Sequence, residues 1–192
     1  LPLFLKTWYN IRKKFGGERN KAMFAIGDYM IYGIHGVCEV TDICPSPFDK
    51  TDSRTFYALR PYHENTGSVI YTPVDNDCVV MRALIDRSAA NSLIDRIDQI
   101  AQITVPVEKA RKEAYRTVFG EQTPESYVRI IKTVRMRREQ MLRLHKRMPE
   151  VDLDYEARAR KCLFTELSIV LGIPFSGVKD YIAQRRGEEA GA

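Results

Sequence analysis

Four cysteines (Cys38, Cys44, Cys78, Cys162) and three histidines (His35, His63, His145) have the widest chemical repertoire in this chain, and their spacing offers little chemistry. No two cysteines form a C-x-x-C pair and the histidines are scattered, so neither a zinc site nor a disulfide framework is implied. Thiols in a reducing cytoplasm are expected, with no metal and no cofactor. The acids Glu64, Asp75 and Asp77 fall in polar stretches that suit turns. The sequence has no nucleophile–base pair and no P-loop, which argues against an enzyme. Gly33-Ile34-His35-Gly36 has the G-x-x-G spacing of a KH-type nucleic-acid loop, but that loop belongs between two helices. Here the flanking runs are strand-like, so a plain turn is expected.

The remaining chemistry is that of charge. Between Val128 and Met148 there are eight Lys/Arg residues against one acid, Glu139. At 100° per residue, Tyr127, Ile130, Ile131, Val134, Met141, Leu142, His145 and Met148 share one face, with His145 expected in the core. Arg129, Lys132, Arg143, Lys146 and Arg147 lie opposite. Solvated helix faces usually mix signs, and a face of one sign favours a polyanion such as a phosphate backbone over plain solvation. The net charge of +5 is mild, so its placement matters more than its size.

Two kinds of element must carry these residues. From Met23 the hydrophobic period is two: "MFAIG", "YMIYG", "VCEVTDI", "TFYALRPY" and "SVIYTPV" read as five short strands divided by glycine and polar turns. A module of this size buries only a modest core and suits a docking surface in a small, strongly bent sheet or barrel. After Leu84 the period becomes 3.6. Helices are predicted over Asp86 to Ile103, Val107 to Phe119, Pro124 to Met148, Tyr155 to Leu171 and Ser176 to Arg185. Pro106, Gly120, Pro124, Pro149, Gly172 and Pro174 supply the punctuation. The predicted architecture is α+β with two domains: a small five-stranded β-barrel over residues 23–83, then an all-α bundle of about five helices over 84–192.

In the fourth helix, Tyr155, Ala159, Cys162, Leu163 and Leu167 should face inward, with Arg160 and Lys161 outward and Arg158 on the flank. "ELSIVLGIPFSGVKDYI" has helix-turn-helix spacing, which would make Ser176 to Arg185 a recognition helix. The same spacing suits any helical hairpin stopped by glycine and proline. A promoter-specific helix-turn-helix factor is therefore the alternative reading. Residues 1–22 hold the only tryptophan, Trp8, and form a basic, apolar stretch. They read either as an N-terminal arm or as a translated leader ahead of a natural start at Met23, since Gly16-Gly17-Glu18 can be encoded by purine-rich, ribosome-binding-like codons. No run reaches the roughly 18 apolar residues that a membrane-spanning helix needs.

"FAIGDYMIYGIHGVCEVTDI", "YALRPY", "SVIYTPVDN" and, further on, "ARKCLFTELSIVLG" occur here in an order that resembles the CarD family of bacterial transcription regulators. Their front module is similar to the polymerase-interacting domain of the transcription-repair coupling factor. The likeness rests most on Gly27, Asp28, Tyr32, His35 and Gly36, and on the strand ending at Pro73. It implies a Tudor-like (SH3-like) barrel that pairs an edge strand, here Ser68, Val69, Ile70, Tyr71 and Thr72, with the RNA polymerase β subunit. It also implies a helical domain lying on promoter DNA and stabilising the open complex. The protein would then be a monomeric, cytoplasmic, nucleoid-associated regulator. Family members often carry arginine where this chain has Tyr71, and a tryptophan wedge near the first basic helix where it has none. The resemblance leaves Val105, Pro106 or Val107 as a smaller wedge, with Tyr115 further along. Phosphate contacts are expected from Arg111, Lys112, Arg129, Lys132, Arg158 and Lys161.

Overall fold

The computed structural model describes residues 24–49, 51–63, 67–105 and 107–187. The N-terminal arm, Met23, Glu64 and Pro106 lie outside them. Strands β1 (Tyr29–Tyr32), β2 (Val37–Pro45), β3 (Thr55–Pro61), β4 (Ile70–Pro73) and β5 (Met81–Ala83) form one antiparallel sheet in the order β4-β3-β2-β1-β5. Alternation sends Met30, Tyr32, Cys38, Val40, Tyr57 and Leu59 into a common core. The opposite face, with the cross-strand partners Ile31 and Val37, is buried as well. A register shift between Val40 and Asp42 marks a bulge, which bends β2 and increases its twist.

The G-x-x-G stretch is a turn, a single 3-10 helix from Gly33 to His35 between β1 and β2. Gly33 is required there: its φ is +46° and a Cβ would stand 2.6 Å from Val79 Cγ1.

Five helices follow: α1 (Arg87–Asp95), α2 (Arg111–Phe119), α3 (Pro124–Arg143), α4 (Glu150–Leu171) and α5 (Val178–Arg185). The predicted first helix stops early at Arg96, replaced by a 3-10 turn over Ile97–Gln99. Lys132 of α3 explains the stop. Its Nζ donates to the carbonyls of Ile97, Asp98 and Ile100 at 2.8, 2.9 and 2.7 Å, while Thr133 Oγ1 accepts from Ile103 N–H at 2.9 Å. A tertiary cap thus satisfies a segment that helical hydrogen bonds would otherwise serve.

α3 is also shorter than predicted. The N–H of His145 reaches Leu142 O at 3.1 Å and that of Lys146 reaches Met141 O at 2.9 Å, a Schellman stop with His145 left-handed at φ 52°. His145 and Leu142 are exposed, so the expected core histidine lies at a helix terminus on the surface. α4 starts at Glu150, before the predicted Tyr155, with Glu150 and Asp152 suited to its positive N-terminal end. Among the described residues no single helix is long and apolar enough to cross a membrane.

A buried carboxylate organises one end of the bundle. Asp152 is 0 % exposed and accepts from Tyr115 Oη at 2.6 Å and Arg137 Nε at 2.9 Å, with Arg111 Nη1 at 3.9 Å. Both arginines also bind Glu108. Burial and the bond to Asp152 push the Tyr115 phenol up to about 12. Removing the carboxylate leaves two little-exposed guanidiniums with Glu108 as the counter-charge they share, and the Tyr115 hydroxyl without its acceptor. Asp152→Ala should therefore lower stability by about 3 kcal/mol, read from urea denaturation. A loss below about 1 kcal/mol, the level of an exposed pair, would show that the network contributes little.

Candidate docking edge and basic surface

β4 is an edge strand, bonded to β3 alone. Its regular part is Ile70–Pro73, so Ser68 and Val69 precede the strand instead of opening it. The ladder shows which backbone groups face outward. Val74 N–H donates to Thr55 O at 2.9 Å, and these residues continue the β3–β4 register, making 55/74 a hydrogen-bonded pair. Antiparallel pairs alternate, so Tyr57/Thr72 and Leu59/Ile70 are bonded while Ala58/Tyr71 is not. The N–H and C=O of Ile70 and Thr72 are used inside the sheet. Those of Tyr71 point away from it, flanked by Pro73, which has no N–H to offer.

The side chains follow the same alternation. Thr72 is buried and accepts from Asn76 Nδ2 at 2.8 Å, whereas Tyr71 and Val69 are exposed. Beside the edge, the Phe48 ring is 76 % exposed. It packs edge-on to Tyr71 at 5.8 Å and to Phe56 at 6.4 Å, with Arg54 over Phe56 at 5.6 Å. An open backbone edge therefore lies beside an aromatic cluster. Sequence reading missed Phe48, which sits in a polar loop.

The basic residues divide into two groups. Lys132 is the tertiary cap described above, and Arg111, with its side chain 11 % exposed, belongs to the Asp152 network. Arg129 pairs with Glu121 at 3.2 Å, and Arg138 pairs with Glu156 at 2.5 Å. The one-sign face of α3 is thus partly consumed by acids and carbonyls of other segments. Lys112, Arg143, Lys146, Arg147 and Lys161 are exposed. Arg158 is half-exposed, stacked over Phe119 at 4.8 Å and Tyr155 at 5.2 Å and paired with Asp154 at 3.4 Å.

The wedge candidates also separate. Tyr115 is fully buried with its hydroxyl committed to Asp152, so it cannot reach a base step. Val105 is half-buried against the helical core, while Val107 is 59 % exposed. In α5, Arg185 is bound to Asp95 at 2.7 Å, Arg186 to Asp98 at 2.6 Å, and Tyr181 Oη to Asn91 at 2.9 Å. Tyr181 and Arg185 of the would-be recognition helix, and Arg186 at its cap, are thus spent on α1 and the turn after it, while Lys179 and Gln184 are exposed. Among the described residues, no group of three or more His, Cys, Asp and Glu side chains could hold a metal ion.

The two modules are joined by contacts that no local sequence pattern announces. Arg82 of β5 makes a bidentate pair with Glu166 of α4 at 2.6 and 2.8 Å, and its Nε donates to Gln122 O at 2.6 Å. Glu166 is 0 % exposed and also accepts Ile85 N–H at 3.0 Å. His63, just after β3, bonds Thr165 of α4, and Arg87 Nη2 donates to Leu171 O at 2.6 Å.

Residues 24–85 match the family model described as the CarD-like/TRCF RID domain, and the N-terminal module is a domain of this kind. The family is a protein-interaction family with an RNA polymerase-interacting, transcription-related role. The match stops at the start of the helical bundle. No curated protein matches the chain.

Proposed function

We propose that this CarD-like/TRCF RID module docks on the RNA polymerase β subunit through β4 and that the helical domain lies on promoter DNA, stabilising the open complex without any enzymatic step. The observation that carries the reading is the outward N–H and C=O of Tyr71 on an uncovered edge, in a domain of a polymerase-interacting family. A partner strand would satisfy those groups. The adjoining rings of Phe48 and Tyr71 offer apolar area for anchoring it. Tyr71 gives the contact aromatic and hydrogen-bonding character where relatives would use an arginine.

The DNA half of the proposal rests on the exposed cations Lys112, Arg143, Lys146, Arg147 and Lys161, with Arg158 alongside. Val107 is the exposed apolar side chain placed for a minor-groove wedge. Being much smaller than an indole, it would hold an unstacked step less firmly. The helix-turn-helix alternative is disfavoured because Arg185 and Arg186 are engaged within the bundle.

Tyr71→Pro removes the outward donor at an edge position where proline is tolerated, and Tyr71→Ala removes the ring while keeping the N–H. With purified β subunit, Tyr71→Pro should bind at least several-fold more weakly than Tyr71→Ala, matching the absence of one hydrogen bond of about 1 kcal/mol. Equal affinities for the two variants would contradict strand pairing. Ile70→Pro should instead damage the module itself, because that N–H belongs to the internal ladder.

On DNA, replacing Lys112 and Lys161 together by alanine should flatten the log–log salt dependence of binding by about 0.9 for each phosphate that is no longer neutralised. Lys132→Met should lower stability and leave that slope unchanged. A slope unaffected by the double variant would remove these lysines from the interface.

A further inference from the structure

The contact between the modules leaves a cleft of about 150 Å³, lined from the sheet side by His35 and His63 and from α4 by Arg158, Lys161 and Thr165. We propose that this cleft is a binding site for a single phosphoryl group, held jointly by the β module and the helical domain. The inference goes beyond the docking and DNA-contact reading and does not depend on it, although Arg158 and Lys161 occur in both.

Charge is the first argument. Four of the lining side chains are basic and none is acidic. Of the nearest acids, Asp154 pairs with Arg158 at 3.4 Å from one turn back along α4 and offsets part of its charge, while Glu166 is buried on Arg82. Burial pushes the Cys162 thiol at the cleft wall up, so no thiolate supplies a negative charge. Burial first, and then the charge of Lys161, hold the His63 imidazole below its ordinary value. The charge that the cleft presents to a ligand is therefore chiefly that of Lys161, with no acid in the lining, and the fork of Arg158 beside it.

Pre-organisation is the second argument. Arg158 is stacked on Phe119 and Tyr155, so its fork is oriented before any ligand arrives. The Thr165 hydroxyl donates its only proton to Lys161 O at 2.6 Å, so it accepts from His63 Nε2–H, which fixes that ring and its tautomer. The His63 ring also packs edge-on to Phe175 at 5.5 Å, and His35 stacks on Tyr32 at 6.0 Å. Donors already ordered by packing lose little entropy on binding. A fork and an ammonium suit a tetrahedral oxyanion with several acceptor oxygens, and His63, whose Nε2–H is spent on Thr165, adds a donor once an anion draws a proton onto Nδ1.

Size is the third argument. At about 30 Å³ per water the cleft of about 150 Å³ has room for roughly five waters, enough for the five heavy atoms of one phosphate, PO4. The phosphoryl group could belong to a DNA backbone or to a small phosphorylated molecule whose remainder stays outside. In either case it would tie the β1–β2 turn and the end of β3 to α4.

The test uses the full chain and inorganic phosphate, exchanged for chloride at constant ionic strength, with the His35 and His63 ring resonances followed by NMR. Phosphate should produce a saturable shift and raise the titration midpoint of His63, since an anion stabilises the imidazolium. Lys161→Gln should weaken the effect at least tenfold, and Arg158→Gln likewise, whereas Lys109→Gln, exposed and outside the cleft, should leave it intact. An equal response to chloride, or full retention in both cleft variants, would overturn the proposal. A second arm adds a short duplex without free phosphate. If the duplex moves the His63 resonance in the same way and phosphate competes with it, the occupant is a backbone phosphate; if only phosphate does so, it is a small phosphorylated molecule. Binding of the duplex, measured separately by anisotropy, tests the DNA-contact reading, so salt-dependent DNA binding with no phosphate response would sink the cleft alone.

Discussion

The arrangement of the molecule depends on one buried ion pair, Arg82 with Glu166. A carboxylate removed entirely from water is costly unless its lone pairs are used. Glu166 accepts two bonds from Arg82 and one from Ile85 N–H, while Arg82 spends its Nε on Gln122 O. The pair joins β5, at one edge of the sheet, to the middle of the bundle, and it lies at the point where chain character changes from strand to helix. Because β5 is the edge turned to the helices, β4 at the far edge stays open to a partner. The placement of the open β4 edge and of the basic surface relative to each other therefore follows from this contact.

The second constraint is that much of the positive charge is structural. Lys132 caps a segment that leaves its helix, Arg111 and Arg137 neutralise Asp152, and Arg185 and Arg186 fasten α5 to α1 and the turn beyond it. A count of cations over α3 exaggerates what a polyanion could touch. The exposed remainder lies on α2, at and just beyond the end of α3, and along α4.

Four of the five strands were legible because alternation and glycine turns are local signals, and Met30, Tyr32, Val40 and Leu59 occupy the core that their period of two predicts; Phe24 to Gly27 of "MFAIG" form no strand, and the short β5, Met81–Ala83, carries too few residues to show a period. The five helices were legible from period and proline, and their ends were less so. His145 is a left-handed stop where the pattern read a core position, and α1 ends because of a lysine far along the chain. The role of Tyr115 could not be guessed while Asp152 was overlooked. A signal did exist for the buried acids of α4. Asp152, Glu156 and Glu166 recur at helical spacing on the stripe of α4 that also carries Tyr155, Ala159, Leu163 and Leu167. An acid on an apolar stripe demands a buried partner. The identity of that partner is not local: Arg82 is 84 residues from Glu166, a pairing that neither composition nor periodicity encodes.

If the Arg82–Glu166 pair holds the docking edge and the basic surface in one frame, the two modules must tumble together. Backbone 15N relaxation of the free chain measures this directly, since each module reports its own rotational correlation time. A single shared correlation time is expected for the parent chain. In Glu166→Gln, which keeps the shape but leaves the Arg82 guanidinium without its counter-charge, the β module should tumble faster than the bundle. Two separate correlation times in the parent, or one unchanged correlation time in the variant, would contradict the role given to the pair.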